Sequence, residues 1–384
     1  MKASANRSEG APEPPAGRWP AVTVLVLNYN GWRDTIACLD SLRQLTYPNY
    51  RIVVIDNGSS NDSVEMIRAW AGGRLDTDGS RTGSGPAVPV MEIIEYERPT
   101  AEAGGVEEEE ERFTRLASDR RLVLIRCSGN LGFSAGNNVG IRYALTGDCA
   151  YVLLLNNDTC VEPGFLEPLV SACERYPEAV MATGKIFYFD PPSTIWYAGG
   201  RMDLVRGGGV HRGIGKTDRG QYDAPGETDF ASGCLMLLDR RILTELGLLD
   251  ERFYLGGEDN ILCWKVRRHG YTIRYEPAAR IRHRVGASRE TIRPRHVYNC
   301  YLAKALVMKR ILRRGWWLLW YGLFRAYCLT WARYRLKRRQ SEQVGSALPP
   351  EAFYRAIDLA LAHARTKEAI TGEDLAAVDR LTGD

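Results

Sequence analysis

The sequence predicts an α/β protein whose doubly wound, mostly parallel sheet is flanked by helices. Short apolar runs alternate with helical patterns, the runs are rich in Val, Ile and Leu, and each ends in polar residues. Val22–Leu27 and Arg51–Ile55 are the first two runs, and both suit strands buried on two faces. Between them, apolar residues at helical spacing predict a helix over Asp34–Leu45 with Asp34 as its N-cap. Strands and helices in alternation are typical of a doubly wound sheet.

The alternation continues through most of the chain. Further strands are predicted over Arg121–Ile125, Ala150–Leu155, Val180–Phe189, Phe230–Leu238 and Tyr271–Tyr275. Further helices are predicted over Ser63–Trp70, Val139–Leu145, Phe165–Arg175 and Asn260–His269, and the chain is helical from Val297 onward. These elements predict a main α/β domain over 20–290 and a helical C-terminal region over 291–384.

Two segments do not fit the alternation. Residues 1–19, rich in Ala, Pro, Glu and Gly, are predicted to be a disordered leader. Residues 71–118 interrupt the sheet pattern with Gly-rich sequence and the acidic run Glu107–Glu111, and only Val88–Tyr96 has strand character. We predict a flexible acidic insertion at the surface, with an acidic regulatory element as the alternative.

The composition is that of an ordinary globular protein and argues against several classes. The 384 residues are 45% hydrophobic and 26% charged, and the net charge is +4. There is no run of 18 apolar residues that would predict a transmembrane helix, and residues 1–20 have no signal-peptide pattern. The nine Cys form no CxxC pair, which argues against a zinc ribbon or redox motif and favours a reducing, cytoplasmic compartment.

Polar residues at the ends of predicted strands are the first candidates for a site. In open parallel sheets, ligands bind beyond the carboxyl ends of the strands. Asn28 to Asn30, Asp56 and Asn57, and Asn156 to Asp158 occupy such positions. An Asp there can bind a ribose hydroxyl or a divalent cation. Both carboxylates also have a structural interpretation, a turn at Asp56 and a helix cap at Asp158.

Two loops that precede helices are further candidates. Gly129–Asn138 allows the backbone to approach a phosphate or nucleotide, although its glycines follow neither GxGxxG nor GxxxxGK[ST]. Gly256–Asp259 puts two carboxylates at the start of a helix, where one can be a general base and N-capping is the alternative. His283 lies in a basic stretch, and a lone His is more commonly structural.

The order of seven motifs resembles one protein family. The motifs are VLNYNG, VIDNGSSND, GNLGFSAGNNVGI, LLLNNDT, SGCLML, ERFYLGGEDN and IRHRVGAS, between Val22 and Ser288. Together they resemble the family-2 glycosyltransferases of GT-A fold, and most closely the rhamnosyltransferase-type members that build bacterial polysaccharides. The resemblance implies an inverting enzyme that moves a sugar from a nucleotide diphosphate to a glycan or lipid-linked acceptor hydroxyl. It implies dTDP-rhamnose as the donor, with UDP-sugars as the next choice.

The resemblance also implies a role for each matching residue. The nucleotide would be bound by Asn28, Tyr29, Asn30, Asp56, Asn130, Gly132, Asn137 and Asn157. Asp158 would hold Mg²⁺ or Mn²⁺ on the diphosphate, and His283 would complete the metal shell. Asp259 would be the catalytic base, and Glu258 would stand beside it in the acceptor site.

Two positions depart from the family pattern. The metal motif Asn-Asn-Asp offers a single carboxylate, Asp158, and Ile261 stands where the family often has a second Asp in Glu-Asp-x-Asp. These departures leave open an inactive nucleotide-sugar-binding subunit of a polysaccharide assembly complex. A nucleotidyltransferase is a third hypothesis, but it usually needs an Arg-containing Gly-rich loop after the first strand, and Asn28 to Gly31 is not one.

The C-terminal region is basic and rich in Trp. Between Arg280 and Gln340 there are 17 Lys or Arg and one acidic residue, Glu290. Trp and Tyr between basic clusters over 313–339 suit a membrane surface, which would place the protein peripherally on the inner face of the cell membrane. A helix packed on the main domain or on a partner subunit is the alternative. No recognised module predicts nucleic acid binding, and the sequence leaves a homo-oligomer open.

Overall fold

The computed structural model describes residues 19–75, 90–285, 293–332 and 348–382. The predicted leader therefore lies outside the described residues apart from Trp19, as do residues 76–89 of the predicted insertion and the basic residues 333–339. Within the four described ranges, no helix is both long and apolar enough to cross a membrane.

One large mixed sheet and one separate hairpin contain the strands of the described chain. In chain order the strands are β1 (Val22–Asn28), β2 (Tyr50–Asp56), β3 (Glu92–Glu97), β4 (Arg121–Arg126), β5 (Tyr151–Asn156), β6 (Thr159–Val161), β7 (Ala179–Tyr188), β8 (Ile195–Tyr197), β9 (Gly200–Asp203), β10 (Gly208–His211), β11 (Gly226–Glu227), β12 (Leu235–Asp239) and β13 (Thr272–His283). The sheet runs β11-β13-β7-β12-β5-β1-β2-β4-β3, with β6 paired to β13 and β8 to β7, while β9 and β10 form the hairpin.

The strand directions bring the candidate residues to one edge. The neighbours from β3 through β4, β2 and β1 to β5 are parallel, and β7 is parallel to β13. β12 lies antiparallel between β5 and β7. As a result, the carboxyl ends of β1, β2, β5 and β13 share an edge with the amino end of β12. The predicted α/β class with a mostly parallel sheet is confirmed.

Helices cover the sheet and build the C-terminal region. They are α1 (Trp32–Leu42), α2 (Ser63–Ala71), α3 (Arg98–Glu102), α4 (Glu107–Thr114), α5 (Gly132–Thr146), α6 (Leu166–Arg175), α7 (Arg240–Glu245), α8 (Glu258–Arg268), α9 (Pro294–Ile311), α10 (Arg314–Tyr327), α11 (Pro350–Ala364) and α12 (Gly372–Thr382). A 3₁₀ turn (Ser118–Arg120) and a π turn (Cys328–Ala332) complete them.

Helix starts differ from their predicted positions. α1 begins at Trp32 after Gly31, so Asp34 lies in its first turn and is not the N-cap. α5 begins at Gly132, seven residues earlier than predicted, so most of the predicted Gly-rich loop is helical. α8 includes both Glu258 and Asp259 in its first turn. Gly132 at the start of α5 and Gly257 just before α8 both have a positive φ. Glycine adopts this backbone conformation without strain, which other residues rarely do.

The segment 71–118 differs from the predicted flexible insertion where the structure describes it. Residues 90–118 form β3, α3, α4 and the 3₁₀ turn, and the acidic run is the first part of α4. Glu110 anchors this helix: its carboxylate lies 2.6 Å from Arg51 Nη1 and accepts a hydrogen bond from Tyr143 Oη at 2.7 Å. The acidic run therefore contains a partly buried ion pair to the sheet, which its composition alone did not reveal.

The C-terminal helices have a core of their own that reaches into the main domain. Phe253 and Ile261 from the main domain pack into it, with buried residues of α9 to α12. Ile370 N donates to Arg252 O at 2.8 Å, and Arg310 Nε lies 3.1 Å from Asp250 Oδ2. The helical region is therefore fixed to residues 250–261, immediately around the candidate base.

Ile261 stands where the family pattern often has a second Asp. Its side chain is buried in the C-terminal core. We expect Ile261→Asp to lower the free energy of unfolding by at least about 3 kcal/mol, because the carboxyl group would be buried without a partner. Denaturant unfolding of the purified protein measures this. Ile261→Val is the control and should cost only about 1 kcal/mol; equal stability of the Asp variant would mean that the side chain reaches the cleft.

Candidate active site

Asp158 and His283 meet at the carboxyl edge of the sheet. Asp158 lies in the turn between β5 and β6, and His283 ends β13. Pairing of Thr159 with His283 brings the two side chains together, and Asp158 Oδ1 lies 3.1 Å from His283 Nε2. The next helix begins only at Leu166, so the interpretation of Asp158 as a helix cap is wrong.

His283 is buried in a mixed polar and aromatic environment. The ring of Trp196 packs edge-on against it, with 4.7 Å between centroids. Burial lowers the pKa of His283, but contacts with Cys234 and Asp158 outweigh it and raise this pKa. A cation between Asp158 and His283 would need the imidazole in its neutral form.

A chain of contacts joins this pair to the candidate base. Asn156 N donates to Cys234 O at 3.1 Å, so the amino end of β12 lies beside the end of β5. In the same segment, Ala231 N donates to Cys263 Sγ at 3.3 Å, and Cys263 lies one turn after Asp259 in α8. Asp158, His283 and Asp259 therefore lie along one continuous region at the edge of the sheet.

Glu258 and Asp259 open α8 in different environments. The N-cap is Gly257, which has no side chain, so N-capping does not explain either carboxylate. Asp259 is half-buried and accepts hydrogen bonds from Asn260 N at 2.7 Å and Asn260 Nδ2 at 2.8 Å. Glu258 is buried, and its Oε2 has no hydrogen-bond partner among the described residues.

Because of these different environments, the two carboxyl groups lose their protons at different pH. Burial raises the pKa of both carboxyl groups, and the charge of Asp259 raises the pKa of Glu258 further. Hydrogen bonds from Asn260 and Gly233 oppose the rise at Asp259 because they stabilise its anion. We therefore assign the first ionisation of the pair to Asp259 and the retained proton to Glu258.

Asn28 and Asp56 form a buried network between the ends of β1 and β2. Asn28 Nδ2 donates to Asp56 Oδ1 at 2.8 Å, and Asn28 Oδ1 accepts from Thr35 Oγ1 at 2.9 Å. Asp56 also accepts from Ser59 N at 3.1 Å and Ser59 Oγ at 2.6 Å, which is the turn its sequence indicates. Asn28 is fully buried, so its side chain contributes to the site by holding Asp56.

Asn57 is a strand-end candidate for which the sequence predicted no specific role. Its Nδ2 donates to Asn130 Oδ1 and to Gly132 O, both at 3.1 Å, and its Oδ1 accepts from Leu131 N at 3.0 Å. The side chain therefore fixes the start of α5 against the end of β2. Its place directly after Asp56 was the available signal, but turn-forming residues around it concealed the long-range role.

Tyr29 and Asn30 lie at the exposed mouth of this region. Tyr29 is 47% exposed, which leaves its ring accessible to a planar ligand. Asn30 has a positive φ of 56°, and its Oδ1 accepts a hydrogen bond from Ser60 N at 2.8 Å. This contact ties the loop after β1 to the loop after β2.

Asn137 and Asn157 make supporting contacts. Asn157 Nδ2 donates to Thr35 Oγ1 at 3.0 Å, which connects the end of β5 to α1. Asn137 is buried in α5 and donates to Phe133 O at 2.9 Å, one helical turn earlier. Both stabilise the frame of the site through these contacts.

Tyr254 connects the start of α5 to the C-terminal region. Its carbonyl accepts from Phe133 N at 2.6 Å, and a Cβ at Gly132 would lie 2.5 Å from this oxygen. On the other side, a Cβ at Gly372 would lie 3.0 Å from the tyrosine ring. The C-terminal helices therefore contribute to the wall of the candidate site.

The residues present fit a divalent cation held mainly by its substrate. No group of three or more His, Cys, Asp or Glu arranged for a metal occurs in the described part of the chain. Mg²⁺ needs only one or two carboxylates when phosphates and water supply the remaining ligands. The separation of 3.1 Å between Asp158 Oδ1 and His283 Nε2 suits adjacent ligands of an octahedral ion, which lie about 3 Å apart for bonds of ~2.1 Å.

The fold and the position of the site define an α/β protein with its candidate site at the carboxyl edge of the sheet. The sequence profile described as "Glycosyl transferase family 2" matches residues 23–87 and 105–247, more than half of the chain. The chain belongs to glycosyl transferase family 2.

Two curated relatives and one solved structure are similar to the chain. The "N-acetylglucosaminyl-diphospho-decaprenol L-rhamnosyltransferase" of Mycobacterium tuberculosis is 26% identical over 179 residues, 42% of this chain and 58% of that protein. The "dTDP-rhamnosyl transferase RfbF" of Shigella flexneri is 22% identical over 172 residues, 45% of this chain and 55% of that protein. The matches thus span little more than half the length of these relatives. The mannosyltransferase PcManGT from Pyrobaculum calidifontis, solved with GDP-Man and Mn²⁺, has a TM-score of 0.47 and 15% identity, with 95% of this chain and 76% of that chain covered.

Proposed function

We propose that this chain is an inverting glycosyltransferase that moves a sugar from a nucleotide diphosphate to an acceptor hydroxyl. The observation that carries the proposal is the segment 231–234, which connects the edge where Asp158 and His283 meet to α8 and Asp259. This connection supports a carboxylate for a cation and a carboxylate for a proton on one surface, in a member of glycosyl transferase family 2.

Asp259 is the proposed base. We assign it the first ionisation of the pair, and hydrogen bonds from Asn260 hold its orientation. The anion accepts the proton of the acceptor hydroxyl while that oxygen attacks the anomeric carbon. The bond from this carbon to the diphosphate oxygen breaks as the new bond forms on the opposite face, so configuration inverts in one displacement. Glu258, with its proton retained, is proposed to donate a hydrogen bond to the acceptor.

The other end of the site is proposed to hold the nucleotide diphosphate. Tyr29 offers an exposed ring to the base, and Asp56, oriented by Asn28, has a carboxylate for the ribose. Asp158 and His283 would hold Mg²⁺ or Mn²⁺ against the diphosphate. When bound, the ion neutralises the charge of the leaving group.

The donor and acceptor classes rest on the relatives. Both carry rhamnosyl transfer in their names, and the mycobacterial name includes a polyprenyl diphosphate acceptor. We therefore propose dTDP-rhamnose as the donor and a glycan or lipid-linked glycan as the acceptor. Such an acceptor places the reaction at the inner face of the cell membrane, in keeping with a cytoplasmic, peripherally bound protein that takes part in polysaccharide assembly.

Calorimetric titration of the purified chain with dTDP and with UDP tests this proposal. Each titration is run with Mn²⁺ and then with EDTA. Binding of dTDP that weakens at least tenfold in EDTA is expected, because the cation connects the diphosphate to Asp158. Binding of UDP alone would replace the donor class. Binding without any transfer to the lipid-linked acceptor would favour the inactive-subunit hypothesis, and no binding of either nucleotide by folded protein would contradict the proposed function.

The pH dependence of transfer should report the environment of Asp259. A protonated carboxyl group cannot act as the base, so the rate falls as pH falls through the pKa of Asp259. Because burial raises this pKa, the fall should begin at a higher pH than for an ordinary Asp. Since Glu258 stays protonated over this range, Glu258→Gln should not change the pH at which the rate falls. A fall that begins at lower pH in this variant would show that Glu258 is ionised beside Asp259.

A further inference from the structure

The outer face of α10 exposes large apolar side chains. The inner face of the helix packs on the protein through Trp317, Tyr321 and Phe324. On the opposite side, Trp316 is 65% exposed and Leu323 is 66% exposed, with Leu319 between them at helical spacing. Exposed large apolar residues on one face of a helix mark an interaction surface more often than isolated ones do.

A second element extends this face. The turn between β9 and β10 exposes Leu204 and Val205, the latter to 81%. Trp320 Nε1 donates to Leu204 O at 2.6 Å, so the turn is attached directly to α10. We define the apolar face as Trp316, Leu319, Leu323, Leu204 and Val205.

The charges around the apolar face indicate the kind of partner. Arg313, Arg314 and Arg325 on or beside α10 are exposed, whereas the exposed Arg206 in the turn has its Nε 3.7 Å from Asp203 Oδ2. The sequence from Arg313 to Ala332 contains no acidic residue. An apolar centre with Trp and a basic border is complementary to an anionic lipid surface, where acyl chains meet negative headgroups.

We propose that the apolar face docks on an anionic lipid bilayer, with α10 lying in the plane of the interface. The packing of Trp317, Tyr321 and Phe324 fixes this orientation, because only the outer face of α10 is available to lipid. The tip of the β9–β10 turn enters the same interface beside the helix. Two elements from different parts of the chain thus form one docking surface.

The docking surface is connected to the candidate acceptor site. Gly209 of β10 donates its N–H to Asn260 Oδ1 at 2.5 Å, and Asn260 Nδ2 in turn donates to Asp259 Oδ1 at 2.8 Å. The lipid-facing turn and the proposed base are therefore joined through one side chain. Docking would bring Asp259 close to the headgroup of a lipid-linked acceptor. This consequence rests on the proposed function, but the docking itself does not depend on it.

Sedimentation of the full chain with lipid vesicles tests whether the apolar face binds lipid. Vesicles of phosphatidylcholine with phosphatidylglycerol are compared with vesicles of phosphatidylcholine alone. The wild type should bind the anionic vesicles more tightly. Leu323→Glu and Val205→Glu should each weaken partitioning by about tenfold, the effect of taking one leucine-sized side chain out of the apolar phase. Val106→Glu is the matched control, because Val106 is exposed just before α4 and lies outside the apolar face. This variant should bind lipid as tightly as the wild type does.

Three outcomes would contradict the proposal that the apolar face docks on lipid. They are no binding of wild type to anionic vesicles, binding of both Glu variants at the wild-type level, and a wild-type dimer that Leu323→Glu converts to monomers. Circular dichroism confirms folding, and Val205→Glu is read alone if Leu323→Glu is unfolded. Titration of the same variants with dTDP and Mn²⁺ separates this test from the proposed function, because loss of lipid binding should leave nucleotide affinity unchanged.

Discussion

Asp259→Asn should lower the rate of sugar transfer by about 10²- to 10⁴-fold while nucleotide binding stays near the wild-type level. Asn has the same shape, and its carbonyl oxygen can still accept both hydrogen bonds from Asn260, which go to one oxygen, Oδ1. It cannot take the proton of the acceptor hydroxyl, so only the proton transfer is removed. The measurement is the rate of nucleotide release from the proposed donor with the proposed lipid-linked acceptor, together with calorimetric binding of dTDP.

Asp119→Asn is the matched control for this variant. Asp119 is exposed in the 3₁₀ turn before β4, at the opposite end of that strand from the candidate site. It changes the net charge by the same amount and should leave both readings unaltered. Normal turnover of Asp259→Asn would remove this residue as the base. Loss of nucleotide binding along with activity would instead place Asp259 at the donor.

The positions of the strand ends could be predicted from the sequence because each buried strand is a short apolar run that a polar residue ends. This is true of Asp56 and of Asp158, and both lie at the predicted edge. The path of β13 could not be predicted in the same way. The sequence predicts a strand only over Tyr271–Tyr275, but a register shift between Glu276 and Arg280 lets β13 continue past Pro277 to His283.

The contacts that assemble the site could not be read from local sequence. Asn57 reaches residues more than 70 positions later, and Glu110 pairs with Arg51 from a segment that composition alone marks as flexible. Local patterns report propensity and burial, whereas these hydrogen bonds and ion pairs depend on the order of strands in the sheet. The same reason explains why the motif order, which reflects that arrangement, was a better guide than any single motif.

Asp158→Asn should reduce transfer by about two to three orders of magnitude, since neutralising a diphosphate with a metal ion is worth several kcal/mol. It should also lower the affinity for dTDP in Mn²⁺ to the value that the wild type has in EDTA. His283→Gln should have a smaller effect of the same kind, because the imidazole supplies a neutral ligand beside the carboxylate. Calorimetry with Mn²⁺ and with EDTA measures both variants without relying on turnover.

The double variant tests whether the two side chains share one ion. Asp158 Oδ1 and His283 Nε2 are 3.1 Å apart, so they form a single unit in the structure. If one cation joins them, loss of Asp158 already removes the ion, and adding His283→Gln should weaken dTDP binding little further. Additive losses would mean that His283 acts on the nucleotide independently, for example as a cation facing the diphosphate. Tighter binding in the double variant than in Asp158→Asn alone would show that an unpaired, protonated His283 disturbs the pocket once its carboxylate is gone.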